Sequence, residues 1–214
     1  MKTNTKKLVL LAMMTAVAYM IVALVRIPVV LFLSYEPKDV IITIAGFLMS
    51  PMASFVISLL VALVEMVTFS ATGPIGCLMN LISSASFACT AALVYKHKRS
   101  SMGAIWGLAV GSVSMIVVML LWNYLITPLY MNVDRSYVAG LLLPAFLPFN
   151  ALKAGFNSAL TLALYKPLVR ALRKTGLIES RPSTGTKTRA GIYVLATGLL
   201  VTCIRLYLVL KGII

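Results

Sequence analysis

Acidic side chains are scarce in this chain. Its 214 residues hold 5 Asp and Glu against 19 Lys and Arg, with 1 His and 3 Cys. The lone His97 sits in a basic segment, and Cys77, Cys89 and Cys203 are isolated in apolar runs without CxxC spacing. These absences argue against a metal centre and against a disulfide framework. No Walker motif is present, so the chain is not expected to hydrolyse ATP. Charged residues make up only 11%, where a soluble domain carries about a quarter. The longest polar stretch, Arg170 to Arg189, is too short to bury a core of its own.

What is present is apolar length. Hydrophobic residues make up 61% and the mean hydropathy is +1.00. Several runs reach or approach the ~20 residues that cross a bilayer. The chain therefore reads as an all-α, polytopic membrane bundle. Its net charge of +14 is concentrated in short segments beside the apolar runs: Lys2, Lys6 and Lys7; Lys96, Lys98 and Arg99; and Lys166 to Arg189. That is the positive-inside pattern of cytoplasmic loops. No basic face is interleaved with stacking aromatics, so nucleic acid is not an expected partner. The basic start and apolar run lack a small-residue cleavage site and predict a first helix, not a removed signal.

The apolar pattern predicts helices at about 8–25, 40–49, 52–69, 77–95, 102–125 and 147–172, plus a seventh apolar run at 190–210. Ser50-Pro51 breaks the second helix. At about ten residues that helix cannot span alone and must tilt or lie buried in protein. Residues 26–38, 70–76 and 132–140 read as loops. The domain reading is a membrane unit over 1–175, a basic cytoplasmic linker over 176–189 and an additional helix within 190–214. With the N-terminus inside, all three basic segments fall on the cytoplasmic side.

Polar residues in apolar helices then mark the candidate site. Lys153 lies between Asn150 and Asn157 at helical spacing, so all three share a face. A lysine at the centre of a membrane helix costs roughly 2.5–3.5 kcal/mol, which makes it a functional candidate. Glu65, Asn80 and the i,i+4 pair Asn123 and Thr127 fall in the outer halves of their helices, and the polar group 34–39 lies in an outer loop. This one-sided convergence suggests a pocket open to the exterior, where Tyr35, Trp122, Tyr124, Tyr130 and Phe149 offer aromatic faces to a flat ligand. Structural readings stand beside it. Single Asn residues often bond between helices, the aromatics fit an interfacial belt, Glu65 and Lys153 fit an ion pair, and Asp39 fits a helix cap. On the first helix Ala12, Ala16, Tyr19 and Ala23 form a small-residue stripe, suited either to internal packing or to docking a partner.

Six helices, a short second helix, the Ala-xxx-Ala stripe and an external pocket resemble the substrate-binding S components of energy-coupling-factor (ECF) vitamin transporters. Segments 35–39, 46–51, 73–76 with Asn80, 122–124 followed by 128–130, and 147–153 resemble the riboflavin-specific members of that family. The resemblance covers about residues 8–175. It implies a bacterial plasma-membrane protein that captures riboflavin from outside and works with a transmembrane coupling protein and two cytoplasmic ATPases. Riboflavin would be cargo, with no resident cofactor. By the resemblance, Asn123 and Lys153 match positions that bond the flavin ring, Asn150, Asn80, Asp39 and Thr43 contribute, and Ala12 and Ala16 match the docking motif. Thr127, Tyr130 and Glu65 join the candidate set by position. Two departures are visible. Glu65 stands near the place where many relatives carry a Lys-Asn pair, at Val61-Ala62 here, and the run 190–210, with Arg205 inside it, is additional. Arg205 is expected to pair with Glu65 or to snorkel. An S component for another vitamin or for FMN or FAD is the nearest alternative, and a membrane scaffold is the next. An enzyme using Glu65, Asp39 and Lys153 has no nucleophile or metal motif behind it.

Overall fold

The computed structural model describes residues 2–68, 73–174 and 189–210. Its elements are α1 (Lys2–Leu24), β1 (Ile27–Val30), β2 (Leu33–Tyr35), α2 (Lys38–Leu48), α3 (Pro51–Thr68), α4 (Gly73–His97), α5 (Ser101–Met131), α6 (Arg135–Leu141), α7 (Leu147–Lys174) and α8 (Arg189–Leu210). Six helical stretches are long and apolar enough to cross a membrane: 5–24, 51–68, 73–97, 101–131, 135–172 and 191–210. With the short α2 these make the expected bundle, including the additional last helix.

α2 is the hub. Ten of its residues, Lys38 to Phe47, are buried, and it packs against α1, α3, α4 and α7. A helix too short to span is tolerated in a bilayer because protein surrounds it on every side. α1 buries Leu10, Met14, Ala18 and Val22 at four-residue spacing on the side that packs against α2 and α3. α4 and α5 approach closely: a Cβ on Gly107 or Gly111 would meet the carbonyl oxygens of Ala91 or Phe87. Glycine there lets two backbones come into contact and gain dispersion energy that larger residues would block. Phe47 stacks on Tyr95 with ring centroids 4.3 Å apart, and Tyr95 and Tyr165 hydroxyls meet at 2.9 Å. This aromatic knot closes the end of the bundle that carries the basic turn 96–100.

Four sequence expectations change. Residues 26–38 are not simply a loop. They contain an antiparallel hairpin pairing Ile27 with Tyr35, Pro28 with Ser34 and Val30 with Leu33, and Val29, Leu33 and Tyr35 are buried against Val138, Phe146 and Phe149. The β-branched run Val29-Val30 suits a strand, but three paired positions are too few to read as a period. Of the expected turn 70–76, residues 73–76 form the first turn of α4, while 69–72 lie outside the described residues. α5 continues through Pro128 to Met131 rather than ending at about Leu125. The expected loop 132–140 shrinks, because α6 begins at Arg135 and joins α7 through a π-helical turn at Leu142–Phe146. That wider turn accommodates Pro144, which has no N–H to give the helix. The linker 176–189 lies outside the described residues except for Arg189.

Candidate functional site

The site forms where the hairpin meets the first turn of α2. Pro37 precedes α2 without a side-chain cap, so Asp39 does not serve as the cap. Its buried carboxylate accepts hydrogen bonds from the Ser84 hydroxyl of α4 and from the Asn157 amide of α7, the latter at 3.1 Å. It also faces the Lys153 ammonium at 3.4 Å. Lys153 donates to the Ser83 hydroxyl at 3.0 Å, and the Tyr35 phenol donates to the Asn157 carbonyl oxygen at 3.1 Å. A carboxylate with three donors and a lysine with two partners are compatible with complete burial; either alone would not be.

A second cluster adjoins the first through the peptide unit between Lys38 and Asp39. The fully buried Lys38 ammonium lies 2.5 and 2.7 Å from the two Glu65 oxygens and 2.8 Å from Glu36. Asn80 donates to Glu65 at 2.8 Å, and Arg26 pairs with Glu36 at 2.7 Å. Three cations, Arg26, Lys38 and Lys153, thus face three carboxylates, Glu36, Asp39 and Glu65. The whole chain has only 5 acidic residues, so most of its negative charge is spent on this one neutral network. Burial works to raise the Glu36 carboxyl, but the Lys38 ammonium, helped by Lys153 and Arg26, outweighs it and holds the pKa at about 2. Burial first, then Asp39 and Cys203, pushes the Tyr35 phenol up, which keeps it a hydrogen-bond donor.

At Met79, the chain neighbour of Asn80 on α4, begins a cleft lined also by Phe32, Trp122, Ile126, Thr127 and Tyr130, with a free volume of about 10 Å³, on the order of one water. Phe32, at the hairpin tip, packs edge-on to Tyr130 at 5.5 Å. The Asn123 amide group donates to the Met119 carbonyl, and its own oxygen accepts from Thr127 at 2.9 Å.

The structure therefore brings together Asp39, Lys153, Glu65 and Asn80 from the sequence-derived set, and places Thr127 and Tyr130 on the adjoining cleft. Thr43 donates to the Asp39 backbone carbonyl, and Asn150 to that of Phe146, so both bond within their own helical segment. Two pairings need correction. Glu65 pairs with Lys38, not with Lys153 or Arg205, because α2 and α3 are packed neighbours while the Arg205 side chain is exposed on α8. The network also reaches Ser83 and Ser84, just on the outer side of the middle of α4. Sequence reasoning missed Lys38, Glu36 and Arg26 as members. The one signal was the density of charge at 36–39, read there as a loop. Ala12, Ala16 and Ala23 are exposed on α1, opposite the residues that face the bundle, so their stripe is not its internal seam.

Comparison with known proteins adds three findings. Residues 6–165 match the family described as "ECF transporter, substrate-specific component". The chain is 29% identical over 180 residues to the riboflavin transporter RibU of Staphylococcus aureus (strain TCH60), covering 80% of this chain and 94% of that protein. A solved structure described as "Structure and mechanism of the S component of a bacterial ECF transporter" superposes with a TM-score of 0.67 at 28% identity, covering 79% of this chain and 99% of that one.

Proposed function

This chain belongs to the substrate-specific components of ECF transporters, and from that membership we propose that it captures riboflavin from outside the cell for ATP-driven uptake. The observation that carries the reading is the neutral, fully bonded network of Asp39, Lys153, Asn157 and Ser84 set beside an aromatic cleft of Phe32, Trp122 and Tyr130. A flavin has the matching form. Its ring is flat and apolar on its faces, and its edge offers carbonyl acceptors and one imide N–H. Lys153 supplies a donor for the former, and the Asn123 amide can both donate and accept. Each cation of the network already faces a carboxylate, which favours the uncharged vitamin over its phosphate esters.

The cleft is too narrow for any ring system, so its walls must part when ligand enters. The hairpin is the wall of the cleft that is not helical. A two-stranded hairpin is marginal without packing, and its tip residue Leu31 sits at φ +51°, a conformation that costs a leucine about 1–2 kcal/mol. The basic turn 96–100 and the basic end of α7 would lie in the cytoplasm, placing the N-terminus there and the hairpin outside. The exposed Ala12 and Ala16 would receive the coupling protein, whose two ATPase partners supply the energy.

Titration of the purified protein with riboflavin tests the reading. The expected result is quenching of flavin fluorescence at saturation, with a yellow protein after size exclusion. A colourless protein that leaves flavin fluorescence unchanged would overturn it. For docking, a variant carrying both Ala12→Trp and Ala16→Trp is expected to bind riboflavin normally and to lose uptake in cells. Full uptake would remove α1 from the interface.

A further inference from the structure

α8 lies beyond the residues matched by the family, which end at 165, and it is not idle. Ile192, Ala196 and Cys203 are buried along one face of it. At Gly155 of α7 the two helices come so close that a Cβ would meet the Cys203 sulfur and Leu199. Further along the same face, Tyr207 and Leu210 pack against the cluster that holds the hairpin, formed by Val29, Leu33, Tyr35, Phe146 and Phe149, and α8 touches β1 itself. The helix is thus fixed to α7 along its length and presses its last described turn on the strained hairpin. The hairpin's far end bears Tyr35, whose hydroxyl holds Asn157 and through it Asp39.

We propose that α8 is a strap that keeps the β1–β2 hairpin closed against α7 and so sets the rate at which ligand enters and leaves. The kinetic clause rests on the riboflavin reading; the mechanical clause does not. An element that adds packing to the closed cap and leaves the ring-binding groups alone slows opening, and so acts on association and dissociation together. A bundle ending at α7 would leave the hairpin cluster without Tyr207 and Leu210, held by residues of α4, α5, α6, α7 and the turn between the last two.

The test uses the full chain in detergent. Tyr207→Ala combined with Leu210→Ala removes the two side chains that press on the hairpin cluster; Tyr207→Ala alone is the milder version. Tyr207→Phe keeps the ring, and Val201→Ala with Val209→Ala trims the exposed face of α8, where those residues are 50% and 56% exposed. Amide hydrogen exchange of residues 27–35, read without ligand, is expected to accelerate about tenfold in the double variant and less in Tyr207→Ala, while the last two variants match the parent. Riboflavin dissociation, followed by fluorescence recovery, is expected to accelerate by a similar factor with a smaller change in Kd. Parent-like exchange in both Tyr207→Ala variants overturns the strap. Faster exchange with an unchanged dissociation rate overturns its kinetic role. Faster exchange in a protein whose parent form never quenches riboflavin supports the strap and overturns the ligand reading.

Discussion

The two ends of α5 are built on one spacing and do opposite things. Every fourth residue from Gly103 to Thr127 is buried: Gly103, Gly107, Gly111, Met115, Met119, Asn123 and Thr127. At the basic end the stripe is glycine, and α4 lies almost backbone to backbone against it. In the middle it is methionine, which fills irregular space. At the hairpin end it is polar, beside a cleft and a charged network. A membrane bundle thus divides its labour along a single helix. Close small-residue packing gives up no hydrogen bonds and leaves no room, so that end is suited to stay fixed. Polar side chains that bond one another, as Thr127 does Asn123, can exchange partners, so that end is suited to admit a ligand.

Substitutions at either end separate the two roles. The largest effect is expected from Lys38→Met, which leaves Glu36 and Glu65 facing each other in a buried site. Removing one partner of a buried ion pair costs roughly 3–5 kcal/mol, so thermal unfolding in detergent should show a large fall in Tm. An unchanged Tm would mean that the charged end contributes no more to stability than its surroundings. Gly107→Leu attacks the other end. Overpacking costs about 1–3 kcal/mol, expected as lowered Tm with ligand affinity retained; lost affinity with unchanged Tm would show that the two ends are not separable. Lys153→Ala is expected to weaken riboflavin binding about tenfold or more, equivalent to about 1.4 kcal/mol, and an unchanged Kd would remove Lys153 from the site. The smallest effect is in pH. Glu36 has a folded pKa of about 2 against an ordinary 4.5, so it adds stability that is complete above pH 4.5 and is lost as the pH falls toward 2. In Glu36→Gln that part of the acid limb should flatten, as read by Tm between pH 5 and 3; an identical limb would place the acid sensitivity elsewhere.

The helices were legible because a bilayer leaves the backbone no other choice: long apolar runs must be helical, and Ser50-Pro51 and the basic turn 96–100 mark where they stop. Lys153, Glu65, Asn80 and Asp39 were legible as candidates because a polar side chain in such a run needs a partner. Their partners were not. Lys38 to Glu65 spans 27 positions and Asn157 to Asp39 spans 118, and no local pattern encodes which helix turns toward which. The hairpin was hidden for a related reason. Its strands are short, its tip uses leucine rather than Asn-Gly, and it forms because Phe32 and Tyr35 find rings on α5 and α7.

The class of protein, the presence of its long apolar helices and the residue types that could not be left bare in lipid follow from the sequence alone. These follow from composition and period, which depend on each segment's exchange between water, lipid and protein. That Lys38 holds Glu65, that Asp39 gathers α4 and α7, that Ala12 and Ala16 face outward and that α8 reaches the hairpin follow from the folded arrangement instead. Those are choices among pairings of similar local cost, and packing in three dimensions selects the one that leaves each of these buried charges with a partner.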